Sequence, residues 1–527
     1  MSSLPPHIAA LLSPEAYPHK VGRVDLIQTH ISYVFLAGDF VYKVKKPVDL
    51  GFLDFTTLEK RRHFCQEEVR LNRRLCPGIY LGVVPIAYVE GRVAVDVAGT
   101  VVDYAVKMKR LPEERMMGHL LEKDAVTPAM VRALARRLAE FHASAETGPE
   151  IDTFGSRETI AGNWRENFEQ TEPYVGRTIT ARQFQETREY VEGFLAEERD
   201  LFEARVREGR VRDCHGDLRA EAVCFQDGIC IFDCIEFNER FRYSDVAADL
   251  GFLAMDLDSR GWPAMSDELV GLYLEMSGDS TLPLVLDFYK CYRAYVRGKV
   301  EGFLLAEPEV PAAQKAAARG RARSFFRLAH GYARRRTPCT LINMAGLSGT
   351  GKSFLANALA ARLGAVVISS DVVRKRLAGV EPTERHVEPW EWGIYAPELT
   401  ERTYEAMLEE AEPHLERGRP VILDATFMLR RHREAARDLA RRRGTRYLAV
   451  ECLVEESVAR ERLARRPEDP WTASDGRWEI FAAQRERFEP LTGVPKGELL
   501  RVDAARPLGE QLDIITHHLV GRRGRVS

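Results

Sequence analysis

The stretch TLINMAGLSGTGKSFLANALAARLG, residues 340–364, permits few folds. Leu341 to Ala345 is a short apolar run with the length and composition of a buried strand. Gly346, Ser348, Gly349, Thr350, Gly351, Lys352 and Ser353 follow in a GxxxxGKS loop that meets every fixed position of GxxxxGK[ST]. Downstream, Leu355, Ala358, Leu359 and Leu363 recur at helical spacing. A strand that runs through a glycine loop into a helix turns backbone N–H groups inward and adds the positive end of the helix dipole. Such a loop cradles phosphates. Lys352 is placed to reach the β- and γ-phosphates of ATP, and Ser353 to ligate Mg²⁺.

Beyond the loop, apolar strands alternate with helical stretches, the order of a parallel sheet. AVVISSDVVRKRL is a second strand leading to Asp371, with Arg374 three residues on. In a helix starting there, both side chains lie on one face near its N-terminus. A carboxylate in that place takes a proton from an attacking hydroxyl while the arginine holds an anionic part of the substrate. The other reading of Asp371 is an N-cap. RPVILDATF is the third strand and contains Asp424, an acid placed to support Mg²⁺ or its water shell. TRYLAVECLV and LLRVDAARP supply the fourth and fifth strands. Between them, ESVARERLARRPEDPWTASDG reads as a helix running into a lid with Arg462, Arg465 and Arg466. Arg462 and Arg466 are the two expected to neutralise charge on a transferring phosphoryl group. EPWEWGIYAPELTERTYEAM is expected to line the acceptor pocket. There Trp390, Trp392 and Tyr395 either stack on a sugar or base or pack within a helix.

Phosphate loop, strand with Asp-x-x-Arg, strand with Leu-Asp and arginine lid resemble the P-loop kinases that include gluconate kinases, polynucleotide 5'-kinases and zeta toxins. The likeness runs from residue 338 to about 520. It implies an α/β P-loop NTPase domain that moves the γ-phosphate of ATP to a hydroxyl, with Asp371 as base. It leaves sugar, nucleotide-sugar, nucleoside and an RNA or DNA 5'-end open as acceptor.

The first half follows a different plan. THISYVFLAGDFVYKVKKPV alternates apolar and polar residues about Ala37-Gly38-Asp39, a hairpin pattern that leads into Lys43. FCQEEVRLNRRL reads as a helix offering Glu68, with Glu67 the weaker choice, and DYAVKMKRL as a further strand. CHGDL then presents Asp217, and the strand ICIFD ends on Asp233. That order resembles the aminoglycoside phosphotransferase group of the protein-kinase-like fold, an α+β domain. With its P-loop half, the chain resembles two-domain bacterial proteins joining such a domain to an AAA-family ATPase. The resemblance implies that Lys43 and Glu68 hold nucleotide phosphates, Asp217 is the base and Asp233 the main Mg²⁺ ligand. It also asks for asparagine five residues after Asp217, where this chain has Ala222. Either Glu221 or Glu236 supplies the missing oxygen, or the lobe is a regulatory, nucleotide-sensing pseudokinase.

A chain of 527 residues exceeds what one core serves, so two or three domains are expected. An Ala- and Arg-rich stretch from Glu307 to Pro338, helical in propensity, sets a division into 1–335 and 336–527. Its arginines suit a solvated helix face or an interdomain contact better than a nucleic-acid patch. A formal charge of -3 gives no general pull toward nucleic acid or membranes. No apolar run approaches the ~20 residues that span a bilayer, and MSSLPPHIAALLSPEAYPHK lacks the pattern of a secretory signal. Nine scattered cysteines without a CxxC pair suggest neither a disulfide framework nor zinc. Cys224, Cys230 and Cys234 are expected as apolar filler on strands. A cytoplasmic phosphotransferase using ATP and Mg²⁺ on a small-molecule or nucleotide-type hydroxyl acceptor accounts for these features. The alternative is a nucleotide-switched regulatory protein.

Overall fold

The computed structural model describes residues 4–520 except 227, 309, 336, 382–391, 466–476 and 496. The chain packs into two compact units. One joins Met1–Ile160 to Phe202–Leu253; the other joins Ala161–Leu201 to Ala254–Ser527.

The first unit is built on an antiparallel sheet in the order β1-β2-β3-β6-β4-β5. Its strands are β1 (Val24–Gln28), β2 (Ser32–Ala37), β3 (Phe40–Lys45), β4 (Tyr80–Val89), β5 (Arg92–Val95) and β6 (Thr100–Lys109). The Gly38-Asp39 hairpin forms, with Ala37 opposite Phe40 and Gly38 at φ 63°. A strand turns alternate residues to opposite faces. In β3, Tyr42 and Val44 therefore enter the apolar core with Phe35, while Lys43 and Lys45 share the other face. Across that face lies the helix Leu58–Asn72, capped by the Thr57 hydroxyl accepting from the Lys60 N–H. Its buried face is partly polar. Arg61 Nε donates to Asp103 at 2.8 Å, Glu68 meets both lysines, and Asn72 Oδ1 accepts from the Cys234 N–H at 2.9 Å.

One cysteine expectation needs correcting. Cys76, just beyond that helix, is disulfide-bonded to Cys230, with Cα atoms 4.7 Å apart across 154 residues of sequence. Spacing along the chain carries no record of such a long-range approach. Cys224 sits opposite Cys230 on a short antiparallel pair and is buried apolar filler, whereas Cys234 is buried but lies outside a strand.

The second unit contains a five-stranded parallel sheet. Its order is Val366–Ser369, Val421–Asp424, Thr340–Ala345, Arg446–Leu453, Leu499–Asp503. All five strands legible in the sequence form. The central strand is buried along its whole length, as a parallel strand covered on both faces must be. Leu341 packs with Val421, Met407 and Leu439 on one side, and Ile342 with Leu355, Leu359 and Leu512 on the other. The Ala/Arg stretch becomes the helix Ala312–Arg334. Another helix of this unit, Pro263–Ser277, lies against the P-loop helix Lys352–Leu363. The approach is close: a Cβ on Gly271 would lie 2.8 Å from the Ala358 backbone nitrogen. Arg362 closes the same contact, its Nε 2.7 Å from Asp267. Among the described residues, no helix is long and apolar enough to cross a membrane.

Candidate functional site

In an open parallel sheet, ligands bind beyond the carboxyl ends of the strands. The P-loop follows the central strand there. Gly346 adopts φ 139°, and a Cβ on it would lie 2.8 Å from the Cys452 carbonyl oxygen. Gly349, at φ 82°, would drive a Cβ to 2.8 Å from Leu463 Cγ. Only glycine lets the loop wrap this tightly. Lys352 heads the following helix and donates to the Leu347 carbonyl at 2.8 Å.

Beside the loop is a cavity of about 370 Å³. Lys352, Ser353, Asp371, Arg374 and Asp424 all line it, so five residues chosen from sequence converge on one space. Asp424 ends its strand and is buried. The helix after the second strand starts at Ser370, so Asp371 lies in its first turn, and Ser369 holds the cap position. Asp371 is therefore not the N-cap. Arg374 is 7% exposed. Its Nη1 donates to the Ile394 carbonyl at 3.0 Å and to Thr400 Oγ1 at 2.9 Å, its head lies 5.0 Å from the Tyr395 ring, and its buried Nε has no hydrogen-bond partner among the described residues. No carboxylate among the described residues pairs with it.

The lid arginines divide. Arg462 Nη1 donates to the Thr350 carbonyl at 3.2 Å and Nη2 to the Ala504 carbonyl at 2.8 Å. It buttresses the loop and is not among the side chains lining the cavity. Arg466 and Trp390 lie outside the described residues, and Arg465 is described by its backbone alone. Of the aromatics, Tyr395 lines the cavity, whereas Trp392 is 70% exposed and does not.

Four further side chains shape this space. Gln484 Oε1 accepts the Ser348 N–H of the phosphate loop at 2.8 Å. Glu401 receives His432 Nε2 at 3.0 and 3.1 Å to its two oxygens, and also the Arg431 guanidinium. No spacing rule marks these residues, because they come from three helices far apart in sequence. The periodicity of the helix Pro397–Glu416 alone could have placed Glu401 and Tyr404 near one another.

The first unit gathers the other predicted set. Lys43 Nζ lies 2.9 Å from Glu68 Oε1 and 2.8 Å from Asp233 Oδ1. Burial opposes its charge, but the Asp233 and Glu68 carboxylates push Lys43 well above its ordinary range. Lys43 in turn holds Asp233 down to about 2. Asp233 has φ 64°, a strained value for a residue other than glycine. Lys45 is fully buried and bridges Glu68, at 2.8 Å, and Glu236. Lys43 keeps 15% exposure and is the lysine a ligand can reach.

The HGD loop is clamped from behind by Asp249, which accepts the His215 and Gly216 N–H groups at 2.9 Å each. Asp217 is bound bidentately by Arg219, at 3.1 and 2.8 Å, a partner the sequence pattern did not supply. Ala222 is buried, and its N–H donates to the Arg219 carbonyl. Each acidic neighbour has a basic partner. Glu221 reaches Arg219 at 3.5 Å, and Glu236 belongs to the Lys45 cluster, where burial pushes its carboxyl up.

Comparisons to known proteins place each half of the chain in a family. Residues 62–286 match the phosphotransferase enzyme family, and residues 341–491 match the AAA domain family. The fold is thus a kinase-like N-terminal domain followed by a P-loop domain with a parallel sheet. The chain is 32% identical over 467 residues to the uncharacterized protein Rv2004c of Mycobacterium tuberculosis H37Rv, covering 88% of this chain and 90% of that one. The uncharacterized protein Mb2027c of Mycobacterium bovis matches to the same extent. The chain belongs to the family of these proteins, and in it an aminoglycoside phosphotransferase-like domain precedes a P-loop kinase-like AAA domain. Solved structures similar to parts of it include a gluconokinase from Sinorhizobium meliloti 1021, at 23% identity over 36% of this chain and 94% of that one, TM-score 0.25. A choline/ethanolamine kinase family protein from Mesorhizobium loti is 14% identical, over 59% of this chain and 92% of that one, TM-score 0.35.

Proposed function

We propose that the C-terminal cavity transfers the γ-phosphoryl group of ATP to a hydroxyl of a small-molecule acceptor. The observation that carries this reading is the shared cavity of Lys352, Ser353, Asp371, Arg374 and Asp424. The residues present fit a nucleoside triphosphate with Mg²⁺: the glycine turns form a cradle that a Cβ would fill, and hydroxyl and carboxylate oxygens stand beside it. Ser353 and Asp424 would hold the metal or its waters, and when bound it supplies positive charge against the phosphate oxygens. Lys352 steers the phosphates. Asp371 takes the acceptor's proton as the acceptor oxygen bonds to the γ-phosphorus. The bond to the β–γ bridging oxygen breaks, and its electron pair leaves with ADP.

Arg374 receives an anionic group of the acceptor, because it is buried and meets only neutral oxygens and a ring among the described residues, and a guanidinium in that setting costs free energy until an anion meets it. Arg462 acts through the loop backbone, bonding the Thr350 carbonyl. A nucleic-acid 5'-end is the less suited acceptor, since a formal charge of -3 gives no general pull toward nucleic acid.

For the N-terminal domain a second reading has its own support. Lys43, Glu68, Asp217 and Asp233 suit nucleotide binding, but Ala222 brings no oxygen and Lys43 is already paired with Asp233. We assign it a nucleotide-sensing, regulatory role. The test uses full-length protein, labelled ATP and a panel of hydroxylated metabolites, with Lys352→Ala beside Asp233→Asn. Transfer lost in Lys352→Ala and kept in Asp233→Asn supports both assignments. The reverse pattern overturns both.

A further inference from the structure

Glu401 is held as no ordinary surface carboxylate is. His432 is 7% exposed, and its Nε2 lies within 3.1 Å of both Glu401 oxygens. The His432 ring stacks on Tyr404, with centroids 3.9 Å apart at 18°. Tyr404 is fixed in turn, its hydroxyl 3.3 Å from Thr426 Oγ1 and accepting the Phe427 N–H at 3.2 Å. Arg431 grips the carboxylate from a second direction. One guanidinium, one imidazole nitrogen and a stacked ring thus fix the direction of one carboxylate, and Glu401 lines the same cavity as Asp371 and Lys352.

A carboxylate has about four acceptor sites, and two donors leave it able to accept more. From this geometry we infer that Glu401 is a specificity-determining group that accepts a hydrogen bond from a non-reacting hydroxyl of the acceptor. The acceptor class is then a polyhydroxylated small molecule with an anionic substituent, bound by its hydroxyls. Among the described residues, the aromatic walls offer a stacked nucleobase little open surface. Tyr404 is 8% exposed beneath His432, and one face of Tyr395 is covered by Arg374. The inference rests on the kinase reading of this cavity and narrows its substrate.

Full-length protein is assayed with labelled ATP against polyhydroxy carboxylates, sugar phosphates, neutral polyols and nucleoside monophosphates. The best acceptor is then compared with analogues that each lack one non-reacting hydroxyl. Wild-type protein is expected to lose roughly tenfold to a hundredfold in kcat/KM on one of these analogues, the scale of a hydrogen bond to a charged group. Glu401→Gln should raise the KM of the full acceptor, leave the KM of ATP unchanged and erase much of that discrimination. His432→Asn, which frees the carboxylate without removing it, should give the same change in weaker form. Carboxylates and sugar phosphates report separately which anion Arg374 receives. Discrimination equal in wild type and Glu401→Gln overturns the inference alone, as does a nucleoside monophosphate as best acceptor. Transfer to every panel member that survives Lys352→Ala overturns the kinase reading of the cavity, and the inference with it.

Discussion

Asp371 is the proposed proton acceptor of one domain, and Ala222 withholds a metal-ligand oxygen in the other. Asp371→Asn keeps shape and removes the proton acceptor, so kcat should fall by about 10²–10⁴-fold while ATP affinity holds. Isothermal titration beside a transfer assay reads both, and near-normal kcat would reduce Asp371 to a lining residue. Ala222→Asn adds an oxygen five residues past Asp217 and should increase Mg²⁺-dependent stabilisation of the protein by ATP in a thermal-shift assay. No gain would mean that the Lys43–Asp233 pair, and not the missing ligand, limits that site. His215 is a third probe. Burial lowers its pKa from the ordinary value of 6.5, so the folded state favours the neutral ring. Its contribution is present above about 6.5 and is lost as pH falls below it, because the unfolded chain then takes up the proton first. Tm measured between pH 7.5 and 5.5 should fall less steeply in His215→Asn than in wild type; equal slopes would refute the assignment.

Among elements, legibility followed how local the signal was. Five parallel strands and the glycine loop were visible because each is a short apolar run or a fixed spacing. The hairpin before Lys43 was visible for the same reason. Period-two alternation puts Lys43 and Lys45 on one face, however, and only their unequal burial separates the reachable lysine from the structural one. Gln484, Arg219 and the Glu401–His432 pair stayed hidden because each depends on where a distant backbone passes. So did the close approach at Gly271. Gly271→Ala should cost about 1–3 kcal/mol by pushing its helix off the P-loop helix, and should weaken ATP binding without touching a ligand. Differential scanning calorimetry with nucleotide titration measures both, and an unchanged Tm would show that the contact yields.

At the scale of the molecule, the division at residue 335 read from composition and the compact packing unit are different objects. Helices from 161–201 and 254–334 pack in the unit that contains the parallel sheet. A fragment of 336–527 would lack Gly271 and Asp267, leaving Ala358 and Arg362 without the partners they have in the whole chain. It should melt well below the full-length protein and bind ATP more weakly; identical melting would show that the sheet and its own helices suffice.

That shared packing also bears on inheritance. A recombination event near residue 335 would hand a descendant a phosphate-binding loop whose supporting helix had stayed with the other parent. Selection would then favour passing both halves on together. The match to the mycobacterial relatives runs through 88% of the chain and does not stop at either half.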